Sequence, residues 1–156
     1  MNPARLDHAG IEALIPHRGP MCLLDRMTSW DAAQIECVAI NHRDARHPLR
    51  SASGLLASAA IEYAARAMAV HGALCAAAAG DRAAPGFLAS ARDVRLACAR
   101  LDDLPRIDRD ELVVVAERQA ADAARLLYAF VVRHDGRELA SGRVAVVLDA
   151  GPASAR

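Results

Sequence analysis

The chain has 156 residues, 54% of them apolar, and its 19 basic side chains are balanced by 19 acidic ones. That is enough apolar material for one ordinary domain with a real core, and it excludes a disordered chain. A formal charge of zero and only 3% aromatic residues leave no field to steer a nucleic acid and no platform to stack its bases, so nucleic-acid binding is excluded too.

In chain order, "DHAGIEALIPH" opens with a capping candidate, Asp7, and sets Ile11 and Leu14 three apart before Pro16 stops it. The pattern predicts one short helix. "MCLLDRMTSWD" and "AQIECVAIN" read as two strands joined around "SWDAA". In the second, Ile35, Cys37 and Ala39 alternate with their neighbours as a half-buried strand requires. "HRDARHPLRSASG" is a polar connection, followed by a long alanine-rich helix expected to open at Ser51 or Ser53 and run into the seventies. That helix is small or apolar on nearly every side, so other structure must wrap it.

After the break "GDRAAPG", four segments read as strands: "FLASARDVRLACARL", "ELVVVAERQAA", "ARLLYAFVVRH" and "RELASGRVAVVLD". The "HDGR" between the last two is a hairpin signal. Residues 150–156 read as a frayed tail. The expected fold is α+β, one antiparallel sheet curled round one long helix in a single domain spanning 1–156. A helix apolar all round needs more cover than one sheet supplies, so a homodimer through sheet edges and active-site loops, or a higher oligomer of such dimers, is expected.

Location and cofactor chemistry follow from what the chain lacks. The N-terminal stretch is charged and broken by prolines, unlike a signal peptide, and "AMAVHGALCAAAAG" is too short and too weakly apolar to span a bilayer. A soluble cytoplasmic protein with no membrane partner is the expectation. Cys22, Cys37, Cys75 and Cys98 form no C-x-x-C pair; they predict free thiols, with no zinc site and no disulfide framework.

One residue in the long helix demands a reason. Glu62 stands among alanines, and a carboxylate in such surroundings costs several kcal/mol, as an order of magnitude, unless it is compensated. It has either a partner or a task. The partner available is Arg66, one turn on at i+4. The task available is acid–base chemistry: a carboxyl shielded from water can donate a proton, and a histidine can accept one near neutrality. His47 and His42 both lie in the loop before the helix. His71 reads as a satisfied core histidine, His17 and Arg18 as braces of the N-terminal loop, Asp25 and Arg26 as a structural polar contact. Ser51 and Ser53 sit in no G-x-S-x-G elbow and read as caps.

"LIPHRGPMCLLDRM" and "IEYAARAMA" together resemble the hot-dog-fold 3-hydroxyacyl-[acyl-carrier-protein] dehydratases, whose chains begin with PHR, a short apolar run and D-R-V and carry I-E-x-M-A-Q on the central helix. The branch associated with aryl-polyene and related lipid-like pathways is closest, since there too a glycine precedes the I-E-Y motif. The resemblance implies catalytic roles for His47 and Glu62, meeting across a dimer interface, and places Gly54 and the Leu55 amide near the donors that hold the thioester carbonyl. The chain departs from the family pattern in three places. "RHPLR" stands for G-H-F-P-G, Gly54 lies eight residues before Glu62 rather than about five, and Arg66 replaces a glutamine.

The implied reaction removes water from a 3-hydroxyacyl thioester, in fatty-acid or polyene biosynthesis, with acyl carrier protein (or coenzyme A) as carrier and no cofactor. Two alternatives remain open at this point: a hot-dog acyl thioesterase using Glu62, and a catalytically silent subunit that binds acyl chains or supports an active partner.

Overall fold

The computed structural model describes residues 4–149; the tail expected to fray lies outside them. Helix α1 spans His8–Glu12, and Asp7 caps it by accepting the Gly10 amide at 2.8 Å, as the sequence predicts. The segment that follows departs from expectation. Instead of one long strand from Met21, a 3₁₀ turn occupies Gly19–Cys22 and strand β1 covers only Arg26–Trp30. Pro20 near the start of that turn and a left-handed Leu23 (φ 66°) bend the chain where the composition alone reads as strand.

Strand β2 (Gln34–Ala39) pairs antiparallel with β1 and buries Ile35, Cys37 and Ala39. The chain then runs through a loop into α2 (Ala59–Ala78), and on to β3 (Gly86–Leu96), β4 (Leu112–Ala121), β5 (Arg125–His134) and β6 (Arg137–Leu148). The six strands form one antiparallel sheet in the order β1-β2-β4-β5-β6-β3. The β5–β6 hairpin turns at Asp135 and Gly136, both with positive φ (52° and 75°), the conformation that a tight two-residue turn of this hand demands.

Helix α2 packs against β2, β4 and β5. Its buried side chains include Tyr63, Ala64, Ala67, Met68, Val70 and Leu74, which meet Leu112, Val114 and Ala116 of β4 and Tyr128, Phe130 and Val132 of β5 in one core. Each large side chain there contributes roughly 1.5–3 kcal/mol by leaving water. The alanines let the helix sit close to the concave sheet. A stripe containing Ile61, Glu62, Ala65, Ala69 and Ala73 remains only half-buried.

The helix also begins later than predicted. Residues Ser51 to Gly54 form a closed turn with reciprocal backbone bonds of 3.0 Å, and Ser51 Oγ serves that turn rather than a helix. Helix α2 starts at Ala59, with Ser58 at the cap position and no side-chain capping bond. The amides of Ala59, Ala60 and Ile61 close turns onto the carbonyls three residues back, which takes over the task of a cap. No helix among the described residues is long and apolar enough to cross a membrane.

Candidate functional site

His47 lies in the loop between β2 and α2, where its amide bonds to Asp44 O and its carbonyl accepts the Arg50 amide. These turns fold the side chain inward until only 4% of the residue is exposed. Pro48 follows directly, and the chain returns so that the Leu49 amide donates to His47 Nδ1 at 3.1 Å. Nδ1 therefore carries the lone pair and the ring proton resides on Nε2. Nε2 faces the Tyr63 hydroxyl at 2.9 Å, and Tyr63 donates onward to Asn41 Oδ1 at 2.6 Å. Both ring nitrogens are thus occupied within the chain. Burial holds His47 below the usual histidine range; Asp44 opposes this, while His42 and Arg50 add to it. Burial likewise pushes the Tyr63 phenol up.

His42 is tied down by a different partner. Its Nε2 lies 3.1 Å from Asp110 Oδ1, and His134 Nε2 approaches the same oxygen at 2.8 Å. Arg43 donates to Asp110 through both Nε and Nη2. The Arg43 guanidinium first, then the two histidines, hold the Asp110 carboxyl well below the carboxylate range. His42, Asp110 and His134 bring metal-ligand atoms within 4.8 Å of one another. The guanidinium on the same carboxylate already supplies the positive charge that a cation would bring. We read the cluster as a joint that fixes the loop to the segment before β4.

Glu62 is not buried, contrary to expectation. It sits in the first turn of α2 with its side chain 45% exposed, and the buried member of the pair is Arg66, at 5%. Arg66 Nη1 donates to Glu62 Oε2 at 2.9 Å, and its Nε donates to Met21 O at 3.0 Å. The guanidinium thus ties the 3₁₀ turn to the helix and presents the carboxylate on the half-buried stripe. His17 stands close enough to feel both charges: burial lowers its proton affinity, Arg66 lowers it further and Glu62 raises it. Its Nδ1 is buried with no hydrogen-bond partner.

Gly54 and Leu55 need a correction too. They precede the helix by several residues, and neither amide is free. The Gly54 N–H donates to Ser51 O, and the Leu55 N–H donates to Asp102 Oδ1, both at 3.0 Å. Gly54 has φ 96°, and a Cβ there would sit 2.6 Å from Arg100 Nε. Glycine is required by both conformation and close approach. Asp102 binds Arg100 and Arg50 as well, and it is the Arg100 hydrogen bonds above all that hold its carboxyl well below the usual range.

The readings of His71 and of the Asp25–Arg26 contact follow expectation. His71 is fully buried and satisfied, with Tyr128 Oη donating to Nδ1 at 2.7 Å and Nε2 donating to Asp31 O at 2.8 Å. Arg26 joins Asp25 at 3.0 Å and also Glu111 at 2.6 Å. The cysteines are free. Tyr63, Asn41, Asp102 and Asp110 were not anticipated. Tyr63 had one legible sign: a tyrosine on a helix face that must be buried needs a partner for its hydroxyl.

An antiparallel six-stranded sheet curled round one long central helix is the hot-dog fold. A family model described as ApeP-like, ApeP dehydratase, matches residues 9–154. The chain belongs to that family. The dehydratase heterocomplex ApeI:P from Xenorhabdus doucetiae has a chain that superposes with a TM-score of 0.76 at 20% identity, covering 89% of this chain and 90% of that one. A thioesterase from Pseudomonas aeruginosa gives a TM-score of 0.56 at 13% identity over 79% of each chain. A thioesterase from Haemophilus influenzae gives 0.56 at 10% identity over 79% of this chain and 76% of that one. No curated protein matches the sequence.

Proposed function

We propose that this chain serves in the dehydration of a 3-hydroxyacyl thioester carried by acyl carrier protein, giving a trans-2-enoyl thioester in polyene or fatty-acid biosynthesis. The observation that carries the proposal is the family match across residues 9–154, together with a Glu62 carboxylate that the helix holds at a half-exposed surface. A base removes the C2 proton, the thioester oxygen takes up the negative charge, and an acid gives a proton to the 3-hydroxyl as it leaves as water. Electrons balance without a redox partner. Glu62 is the group of this chain that we place against the substrate, in the proton-transfer role that a positioned carboxyl can fill. A carrier-protein substrate is met in the cytoplasm, and we place the protein there.

The assembly we favour uses β3, an edge strand whose neighbourhood exposes Phe87, Leu88, Leu96 and Val147. Exposed apolar side chains beside an unpaired strand edge favour pairing with another chain. The ApeI:P relative is itself described as a heterocomplex, which supports an assembly of hot-dog chains here.

A second reading, a subunit that does no chemistry, is favoured by two observations. The His47 nitrogens are both engaged, and the Leu55 amide is held by Asp102. Mass spectrometry of a 3-hydroxyacyl carrier-protein substrate incubated with the protein separates the readings. Loss of one water is expected. Release of a free acid points to a thioesterase, and an unchanged substrate leaves the silent subunit.

A further inference from the structure

We infer that His17 is a second proton-transfer residue of the site: it is the histidine of this chain that stands beside Glu62 with neither ring nitrogen committed. The inference rests on the dehydratase reading and deepens it. The sequence suggested a brace, but a brace needs a bond, and none forms to the His17 ring among the described residues. Its backbone is placed by its neighbours instead. The Gly19 amide donates to Glu12 Oε2, and Arg66 Nε donates to Met21 O at 3.0 Å. These two contacts lay the segment against the first turns of α2, where the ring feels the charges of both Glu62 and Arg66.

The other histidines are committed or closed off. His47 and His71 use both nitrogens. His8 meets Leu24 O and Glu12, while His134 is 4% exposed and held by Asp110 through Nε2. His42 keeps Nδ1 without a partner, but its ring is 1% exposed and the charges around it are Asp110, Arg43 and His134, not Glu62. His17 differs in both respects. It is half-buried, and of its two nitrogens only Nδ1 is shut away from solvent. No bond fixes its tautomer, so Nε2 can carry the lone pair outward. A buried polar atom left unpaired costs free energy, a cost expected where a ring must stay uncommitted in order to react.

The charges that face the ring are Glu62 and Arg66 on α2; Glu12 of α1 is engaged by the Gly19 amide. Burial first, then the Arg66 guanidinium, hold its proton affinity below the ordinary histidine value, and Glu62 opposes them. The ring is therefore neutral near pH 7, the state that accepts a proton. In the reaction Nε2 takes the C2 proton of the 3-hydroxyacyl thioester. The electron pair of that C–H bond becomes the second C2–C3 bond as C3–O breaks, and Glu62 supplies the proton with which the hydroxyl leaves as water. The imidazolium then returns its proton to the adjacent carboxylate, which closes the cycle with no other reactant.

The test uses the full-length chain as recovered from the cells that make it, with any chain bound to it, and a 3-hydroxyacyl carrier-protein thioester. His17→Gln and Glu62→Gln are each expected to lower kcat by about 10²-fold or more. For His17→Gln, KM should stay within about threefold, and the melting temperature should not fall, because the lost ring makes no bond. In the wild type, kcat/KM should fall as pH drops through the titration of the His17 ring, followed by its NMR shifts. Glu62→Gln should move that titration to lower pH, since a neighbouring negative charge is removed. This readout needs no turnover and decides the matter if His17→Gln does not fold. A His17→Gln protein that melts normally and keeps its turnover overturns the inference and leaves the dehydratase reading standing. A rise in KM with kcat kept overturns it too, as the mark of a binding contact, and so does a ring titration that ignores Glu62→Gln. If the wild-type preparation takes no water from the substrate, the dehydratase reading falls and this inference falls with it.

Discussion

Tyr63→Phe isolates the hydroxyl that joins the loop before the helix to the helix itself. The ring stays, so packing in the core is preserved and only one oxygen is lost. That oxygen accepts from His47 Nε2 at 2.9 Å and donates to Asn41 Oδ1 at 2.6 Å. Asn41 is half-buried and can turn to water, but His47 is 4% exposed, so its N–H is left without an acceptor. One buried unsatisfied donor costs about 1–3 kcal/mol. For a chain of this size that lowers Tm by roughly 3–9 °C. Differential scanning calorimetry of the wild type, Tyr63→Phe, His47→Gln and the double variant measures it. The two changes share one bond, so their effects should fall short of additive by about 0.5 kcal/mol or more. Strict additivity, or a melting temperature unchanged by Tyr63→Phe, would refute the assigned bond and the tautomer with it.

Three further outcomes are expected. Glu62→Gln should change stability by less than about 0.5 kcal/mol, because the pair is half-exposed and glutamine still accepts from Arg66; urea titration checks this beside the turnover assay. Gly54→Ala should cost about 1–3 kcal/mol, since alanine must adopt φ 96° and displace Arg100; equilibrium unfolding that shows no loss would put the turn elsewhere. Stability should fall as pH drops from neutrality. Burial lowers the proton affinity of His42, His47 and His71 in the folded chain. The unfolded chain therefore takes up protons first, below about pH 6.5, at no more than about 1.4 kcal/mol per pH unit for each histidine. A second loss belongs below about pH 4, where Asp102 and Asp110, both held low by arginine hydrogen bonds, release their donors on protonation. Melting curves taken from pH 8 to roughly pH 3 would show both stages, and a flat profile contradicts the assigned networks.

The sequence by itself determined the elements whose signals act over a few residues. Asp7 capping α1, the alternation of Ile35, Cys37 and Ala39 and the "HDGR" turn appear in the structure where local pattern placed them, and the alanine-rich run forms α2, though from Ala59 rather than from Ser51 or Ser53. Motif resemblance added the family: "LIPHRGPMCLLDRM" and "IEYAARAMA" both lie within the residues 9–154 that the family model matches. Which polar groups meet was set by the tertiary fold. Leu55 is held by Asp102 from 47 positions away, and His42 meets Asp110 across 68. Strand register and the path of the long loops bring such partners together, and no short-range periodicity encodes them. Glu62 shows the same limit at closer range. The i, i+4 spacing named Arg66 as its partner, but which of the two lies in the core depends on how α2 is rotated against the sheet and on Met21 O receiving the guanidinium. His47 shows it most sharply: a histidine before the helix was legible, but two hydrogen bonds formed by the folded loop decided that neither nitrogen is free.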